Sequence, residues 1–227
     1  MVNFYVAKRS ISVWVVFVTL LLGMASMLSL GLDLERMRSI VDRVGKDNAR
    51  TRFSGWRDLV GQLRPAPEAE KLRHVNDFFN QQIRWADDRT VWGQEEHWAT
   101  PLESIGMGAG DCEDFVIAKY FTLQELGVSV EKLRFTYVRA VRGPTDDPKG
   151  FAHMVLSYYA SPASEPMVLD NLIGDIRPAS VRTDLRAVFT FNALGIWQPG
   201  QDTPKPIDRF SRWKDLLMRM QAEGHTL

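Results

Sequence analysis

The segment that most constrains the fold is Phe115 to Leu126, which is apolar on nearly all sides. A helix with so little polar surface has to lie in the middle of a core. Gly127 follows it as a helix-ending residue, and Gly106 to Gly110 contains three glycines just before it. Between this loop and the helix stands Asp111-Cys112-Glu113-Asp114, in which Asp111 is the predicted N-cap. The sequence therefore predicts a buried central helix that begins near Cys112.

The rest of the chain predicts helices first and strands afterwards. Apolar residues at helical spacing predict helices over Leu34 to Asp47, Glu68 to Trp85 and Asp208 to Met220. Pro101 is predicted to open a short turn of helix. A period of two predicts strands, which are Leu133 to Val141, Phe151 to Tyr159, Met167 to Asp170 and Ala187 to Phe191. This order predicts an α+β architecture with an antiparallel sheet.

Composition excludes several classes of protein. The chain has 28 Lys and Arg against 28 Asp and Glu, so it lacks the basic excess of a nucleic-acid binder. Its 45% hydrophobic residues fit a globular protein. The lone cysteine, Cys112, excludes an intrachain disulfide and a zinc site built on several thiolates. The loop Gly106 to Gly110 lacks the lysine and Ser/Thr of a P-loop, so direct nucleotide binding is not expected.

The N-terminus predicts export. Lys8 and Arg9 precede Ile11 to Leu32, which is 22 residues without a charged side chain. A basic flank before an apolar run is typical of a secretory signal, and the run is also long enough to be a retained anchor. We therefore expect a signal peptide or signal anchor over residues 1–32 and one exported domain over residues 33–227.

Three residues can form a nucleophilic site. Cys112 at a helix N-terminus is where backbone amides and the helix dipole favour a thiolate. His153 lies on the second predicted strand and can act as a base, and Asp170, at the end of the next strand, can orient its ring. His74, His97 and His225 are the competing bases. The alternative is purely structural: an inert buried cysteine, a core histidine and a turn aspartate.

Two motifs resemble a known family. Trp98-Ala99-Thr100-Pro101-Leu102-Glu103 and Gly110-Asp111-Cys112-Glu113-Asp114 resemble the bacterial transglutaminase-like cysteine proteinases, over roughly Leu34 to Trp197. The resemblance implies a transglutaminase-like, papain-like core in which the central helix carries the nucleophile and packs on an antiparallel sheet. It also implies Cys112 as nucleophile, His153 as base and Asp170 as orienting acid.

The resemblance has further implications for ligands and partners. It implies a Ca²⁺ site built from Asp111 and Glu113, with Asp114 as a further candidate, and hard oxygen ligands beside a glycine-rich loop suit that ion. Trp98 is a candidate side-chain donor to the oxyanion hole. The implied substrate is a large cell-surface adhesin, cut near its N-terminus to promote biofilm dispersal. The implied inhibitor is the periplasmic domain of an inner-membrane cyclic di-GMP receptor, which places this chain in the periplasm.

Two other functions stay open at this point. A transglutaminase or amidase would use the same Cys-His-Asp residues and the same thioester, and would differ only in the acceptor. A non-catalytic periplasmic protein that binds a partner is the alternative from another class. The Trp-rich segment Trp85 to Trp98 would suit a protein-binding surface.

Overall fold

A computed structural model describes residues 34–141, 150–198, 201, 203–207 and 210–225. The predicted export segment, Ile11 to Leu32, lies outside the described residues, so its fate stays a prediction. Within the described ranges, no helix has the length and apolar character needed to cross a bilayer.

Seven helices occur in the described part of the chain. They are α1 (34–44), α2 (Ala49–Leu63), α3 (Glu68–Gln82), α4 (Asp88–Trp92), α5 (Pro101–Met107), α6 (Cys112–Glu125) and α7 (Ser211–Glu223). Short 3-10 turns lie at Val130–Lys132 and Ala179–Val181.

The strands form two sheets. They are β1 (Arg84–Trp85), β2 (Ala109–Gly110), β3 (Leu133–Ala140), β4 (Phe151–Tyr158), β5 (Met167–Leu169), β6 (Arg177–Pro178), β7 (Leu185–Asn192) and β8 (Gly195–Trp197). β1 and β2 pair in parallel, and the other six pair antiparallel in the order β6-β5-β4-β3-β7-β8.

Helix α6 is the centre of the core. Its residues Asp114 to Leu123 are buried, and α3, α5 and strand β4 pack against it. Helix α7 adds Trp213, whose ring stacks on Phe121 at 5.9 Å. The predicted α+β fold, with the Cys112 helix packed on an antiparallel sheet, is confirmed.

Helices α2 and α3 differ from the sequence prediction. Residues 49–63 form helix α2, although the sequence analysis assigned no helix there; its buried side chains Phe53, Trp56, Val60 and Leu63 do follow helical spacing. The predicted helix from Glu68 to Trp85 ends at Gln82, because Arg84 and Trp85 pair with Ala109 and Gly110 of β2. Tertiary pairing overrides the local helical pattern there.

Candidate active site

The backbone before α6 makes a close approach that only glycine allows. Gly108 ends α5 at a φ of 63°, in the left-handed region. Gly110 lies so close to Asp114 that a Cβ there would come within 2.5 Å of its Oδ2 atom. The glycine-rich loop therefore brings the backbone of β2 directly against the first turn of α6.

Helix α6 begins with a capping box in which Asp111 is the N-cap, as the sequence predicted. The Asp111 carboxylate accepts a hydrogen bond from the Glu113 N–H at 3.1 Å, and Asp114 accepts one from the Asp111 N–H at 3.4 Å. This arrangement uses backbone donors that the helix start would otherwise leave unpaired. It also fixes Cys112 as the first residue of the helix.

The Cys112 thiol is surrounded by acids. Its Sγ donates a hydrogen bond to Glu113 Oε2 at 2.7 Å. Burial raises the pKa of the Cys112 thiol, and the charges of Glu113 and Asp111 raise it further. The Met154 backbone N–H acts in the opposite direction and lowers that pKa, which places the sulfur against the residue that follows His153 on β4.

The protonation of Cys112 differs from the sequence expectation. The helix N-terminus was expected to favour a thiolate, whereas burial and the neighbouring acids raise the pKa of the Cys112 thiol and so favour its protonated form in the absence of an ion. The partial positive charge of a helix end is only about half a unit, so burial and the neighbouring carboxylates outweigh it. Positive charge near these acids would reverse the balance.

His153 and Asp170 are brought together by β4 and the end of β5. His153 Nε2 lies 2.8 Å from Asp170 Oδ1, and both side chains are almost completely buried. Because an ionised carboxylate can only accept, Nε2 carries the hydrogen and Nδ1 is the ring nitrogen that can take a proton. This matches the predicted partnership between the two residues.

Asp170 is held by more groups than the sequence indicated. Its Oδ1 also accepts the Leu172 N–H at 3.0 Å, and its Oδ2 accepts from Arg182 Nη2 at 2.7 Å. The Asn80 side chain donates to the Asp170 carbonyl at 2.8 Å. Burial raises the pKa of Asp170, but the hydrogen bonds, from His153 first, outweigh it and lower the value to about 2. Asp170 is therefore ionised at neutral pH.

The three competing histidines have other neighbours. His74 Nε2 lies 2.9 Å from Arg73 Nη2. His97 Nε2 lies 3.3 Å from Glu103 Oε2, and His225 Nε2 lies 3.8 Å from Glu223 Oε2. His97 also packs on Trp92, with ring centroids 4.3 Å apart. Among these four histidines, His153 is the one that the structure pairs with Asp170.

A second cluster of carboxylates lies beside Cys112. One oxygen each from Asp88, Asp111 and Asp114 lies within 4.8 Å of the other two, and a second such group joins Asp111, Cys112 and Glu113. Burial, together with the neighbouring carboxylates, raises the pKa of Asp111 to about 8. The same two causes raise the pKa of Asp88 and of Asp114.

The oxygen donors of this cluster fit a hard cation. Asp88 Oδ1 is buried and has no hydrogen-bond partner within the described residues. Asp114 Oδ1 accepts the Ala99 N–H at 2.8 Å, which ties the Trp98 to Thr100 segment to α6. Two buried carboxylates, Asp88 and Asp114, and the half-buried Asp111 repel one another, and this is the ligand chemistry that Ca²⁺ satisfies, with backbone oxygens or water filling the remaining positions.

Trp98 lies in the aromatic core. Its ring stacks on Phe191 at 6.0 Å and meets Phe210 edge-on at 5.3 Å. Its indole N–H is buried without a hydrogen-bond partner in the part of the chain that the structure describes. These contacts are those of a core residue with a spare donor, and the oxyanion role of Trp98 stays a prediction.

Two residues of the site were missed by sequence reasoning. Asp88 begins the short helix α4, three residues after β1, and reaches the cluster only because β1 pairs with β2. Arg182 ends the 3-10 turn Ala179–Val181, far from any motif. Neither has a local signal, because only the tertiary fold brings them to Asp111 and Asp170.

Comparisons with known proteins agree with this geometry. The family model described as bacterial transglutaminase-like cysteine proteinase matches residues 60–187, a range that contains Cys112, His153 and Asp170. Comparison with curated protein sequences gives no significant match.

Solved structures of LapG from Legionella pneumophila are similar over most of both chains. The calcium-bound form is 37% identical, with a TM-score of 0.69, over 82% of this chain and 98% of that one. A second LapG structure is 38% identical with a TM-score of 0.67, over 81% and 97%. An EGTA-treated form is 37% identical with a TM-score of 0.69, over 81% and 97%. By family model, sequence identity and fold, this chain belongs to the bacterial transglutaminase-like cysteine proteinases.

Proposed function

We propose that the protein is a calcium-dependent periplasmic cysteine endopeptidase in which Cys112, His153 and Asp170 form the catalytic triad. One observation carries the proposal: the Cys112 sulfur lies against the Met154 N–H, directly after a histidine that is hydrogen-bonded to an ionised aspartate. Membership of a cysteine proteinase family supports the reaction class.

The residues support the following sequence of steps. His153 Nδ1 takes the Cys112 proton, and the sulfur attacks the scissile carbonyl carbon. The imidazolium then protonates the leaving amine as the C–N bond breaks, which leaves a thioester on Cys112. Water, deprotonated by His153, cleaves the thioester, releases a carboxylic acid and restores the thiol. Asp170 keeps the hydrogen on Nε2 and stabilises the imidazolium.

Backbone groups at the helix start would stabilise the charge that develops on the carbonyl oxygen. The Cys112 N–H is at the N-terminus of α6, where the first amides of a helix are free to donate. Trp98 is the proposed second donor, supported by its buried indole N–H that has no partner within the described residues. The pair would act in a water-poor site, where such bonds are strong.

We propose that Asp88, Asp111 and Asp114 hold a Ca²⁺ ion, with Glu113 as a further ligand. Support comes from the clustered carboxylate oxygens and from the LapG structure in its calcium-bound form. The ion would supply positive charge beside the thiol, which lowers the proton affinity of these acids and of Cys112. Glu113 belongs to the group with Asp111 and Cys112, so it links the ion site to the nucleophile.

The biological part of the proposal rests on the motif resemblance. A large surface adhesin cut near its N-terminus would be the substrate, and its release would promote biofilm dispersal. The periplasmic domain of an inner-membrane cyclic di-GMP receptor would be the inhibitor. An N-terminal export signal over residues 1–32 would place the enzyme in the periplasm.

A cleavage assay tests the proposal directly. The purified full chain is mixed with N-terminal adhesin fragments that carry a dialanine, the cleavage site that the family resemblance implies, with CaCl₂ or with EGTA, and the products are identified by mass spectrometry. We expect one cut with Ca²⁺, none with EGTA and none with Cys112→Ala. Cleavage by Cys112→Ala would refute the assigned nucleophile, and undiminished cleavage in EGTA would refute the ion requirement.

The same assay separates hydrolysis from amine transfer. A labelled primary amine is added to the reaction, because a transglutaminase would pass the thioester to that amine instead of to water. We expect the products to carry free carboxylates with no label. Stoichiometric incorporation of the amine would overturn the endopeptidase assignment and leave the same three residues in a transferase.

A further inference from the structure

We propose that Arg182 is a positioning residue, whose guanidinium fixes the Asp170 carboxylate so that Asp170 can hold His153 in its working orientation. This inference rests on the proposed function, since it concerns the machinery of the same reaction. Arg182 would act through Asp170 and would not touch the substrate.

The geometry divides the Asp170 carboxylate between two partners. Oδ1 accepts a hydrogen bond from His153 Nε2 at 2.8 Å, while Oδ2 accepts one from Arg182 Nη2 at 2.7 Å. A carboxylate held at both oxygens cannot rotate about its terminal bond without breaking a charge-assisted hydrogen bond. The Arg182 contact therefore fixes the plane in which Oδ1 meets the imidazole.

Arg182 is itself anchored on its far side. Its Nε and Nη2 atoms donate to the two carboxylate oxygens of Asp184 at 2.9 and 2.7 Å. Asp184 leads into β7, and its carbonyl accepts the Val141 N–H at 2.9 Å. Arg182 thus connects Asp170, beyond β5, to the start of β7.

Structural stabilisation alone explains this arginine poorly. The Arg182 side chain is only 1% exposed, and a buried ion pair often stabilises a fold no better than apolar residues would. Arg182 Nη1 is also buried without a partner in the described part of the chain, which adds a cost. A buried, incompletely satisfied guanidinium behind the acid that orients His153 indicates a role in orientation.

The charges around Asp170 come from several elements. His153 on β4 and Arg182 donate to it, Lys119 on α6 acts on it through space, and Asp184 stands behind Arg182. Lys119 is fully buried and is also near Asp77 of α3. Removing the arginine would leave Asp170 with less positive charge, so its ionised form would be less favoured.

Variants of Arg182 test the role through kcat and through the reactivity of Cys112. Arg182→Gln keeps a donor but removes the charge, and Arg182→Lys keeps the charge with a single donor group. We expect Arg182→Gln to lower kcat about 10- to 100-fold with little change in KM, because an interaction that orients the base acts on the chemical step. Arg182→Lys should recover part of the loss. Arg177, which forms an exposed ion pair with Asp175, provides the control, and Arg177→Gln should behave as wild type.

The pH profile separates orientation from folding. The chain has one cysteine, so iodoacetamide reports on Cys112 alone. We expect Arg182→Gln to slow the alkylation of Cys112 at neutral pH and to move the acid limb of kcat/KM to higher pH, because Asp170 then keeps its charge, and its hold on His153, only at higher pH. A variant that only lost folded protein would show wild-type kcat per folded molecule, with the folded fraction measured by circular dichroism, and an unmoved limb, and that result would overturn the proposal.

A milder variant covers the case in which Arg182→Gln does not fold. Asp184 is 32% exposed, and Asp184→Asn weakens the anchor of Arg182 without emptying the buried site. For Asp184→Asn we expect a smaller loss of kcat than for Arg182→Gln, and a smaller shift of the acid limb of kcat/KM to higher pH. Wild-type values of both quantities would refute the positioning role of Arg182. If Cys112→Ala is inactive and the Arg182 variants behave as wild type, only the positioning role of Arg182 is refuted. If Cys112→Ala is active, the proposed function is refuted as well.

Discussion

The substitution Asp170→Asn removes one charge from the centre of the site and keeps the shape of the side chain. In the native protein, burial raises the pKa of Asp170, while the hydrogen bonds from His153, Leu172 and Arg182 lower it to about 2, below the ordinary 3.8. A carboxyl whose pKa is lowered on folding stabilises the fold at pH values above the pKa that it has in the unfolded chain. This contribution is lost as the pH falls through the pKa of the folded protein.

The size of this effect follows from the shift. Lowering the pKa from 3.8 to about 2 corresponds to about 2 kcal/mol of unfolding free energy at pH 7, at 1.36 kcal/mol per unit. The contribution should shrink by about 1 kcal/mol between pH 7 and pH 3, since Asp170 in the unfolded chain is then mostly protonated. The Asp170 side chain is fully buried, so solvent screening does not reduce this contribution.

Urea unfolding of wild type and Asp170→Asn at several pH values measures this contribution. The difference in unfolding free energy cancels the titration of all other groups that the substitution leaves undisturbed. We expect the difference to decrease from pH 7 to pH 3. The control is Asp175→Asn, which should change the unfolding free energy little, because solvent screens the exposed ion pair of Asp175 with Arg177. A difference for Asp170→Asn that does not change with pH would refute the reasoning, because it would mean that Asp170 does not have a lowered pKa. The same variant should lower kcat at least ~100-fold.

Three further outcomes are expected. Cys112→Ala should unfold within ~1 kcal/mol of wild type yet give no cleavage product, and retained cleavage would exclude Cys112 as the nucleophile. Burial and the neighbouring carboxylates raise the pKa of Asp111 to about 8. The ion-free protein should therefore lose stability as the pH rises from about 4 to 8, and the increase in Tm on adding Ca²⁺ should grow over that interval. Asp88→Asn should reduce both effects and weaken Ca²⁺ binding in calorimetry, while the exposed Asp58→Asn should not; equal affinity in all three proteins would remove Asp88 from the site. Gly110→Ala forces a Cβ to 2.5 Å from Asp114 Oδ2 and should cost about 1–3 kcal/mol in urea unfolding, and a neutral result would show that the capping turn can shift freely.

Local patterns in the sequence were enough for most of the fold. The apolar segment before Gly127 predicts the buried helix α6, and the change of period near Leu133 predicts the strands that pair in the sheet. These signals work because helix and strand periodicity depend on neighbours a few residues apart. The helix α2 carried the same kind of signal, although Gly55 and Gly61 weaken its helix propensity.

The amino-acid sequence by itself determined the class of fold, the family motifs around Cys112 and the pairing of His153 with Asp170. That pairing follows from consecutive antiparallel strands, which place their residues side by side. The tertiary structure alone decided that Asp88 joins Asp111 and Asp114, that Arg182 holds Asp170 and that burial and neighbouring acids raise the pKa of Cys112. Burial and proximity between distant segments set these charges, and neither quantity exists until the chain has packed.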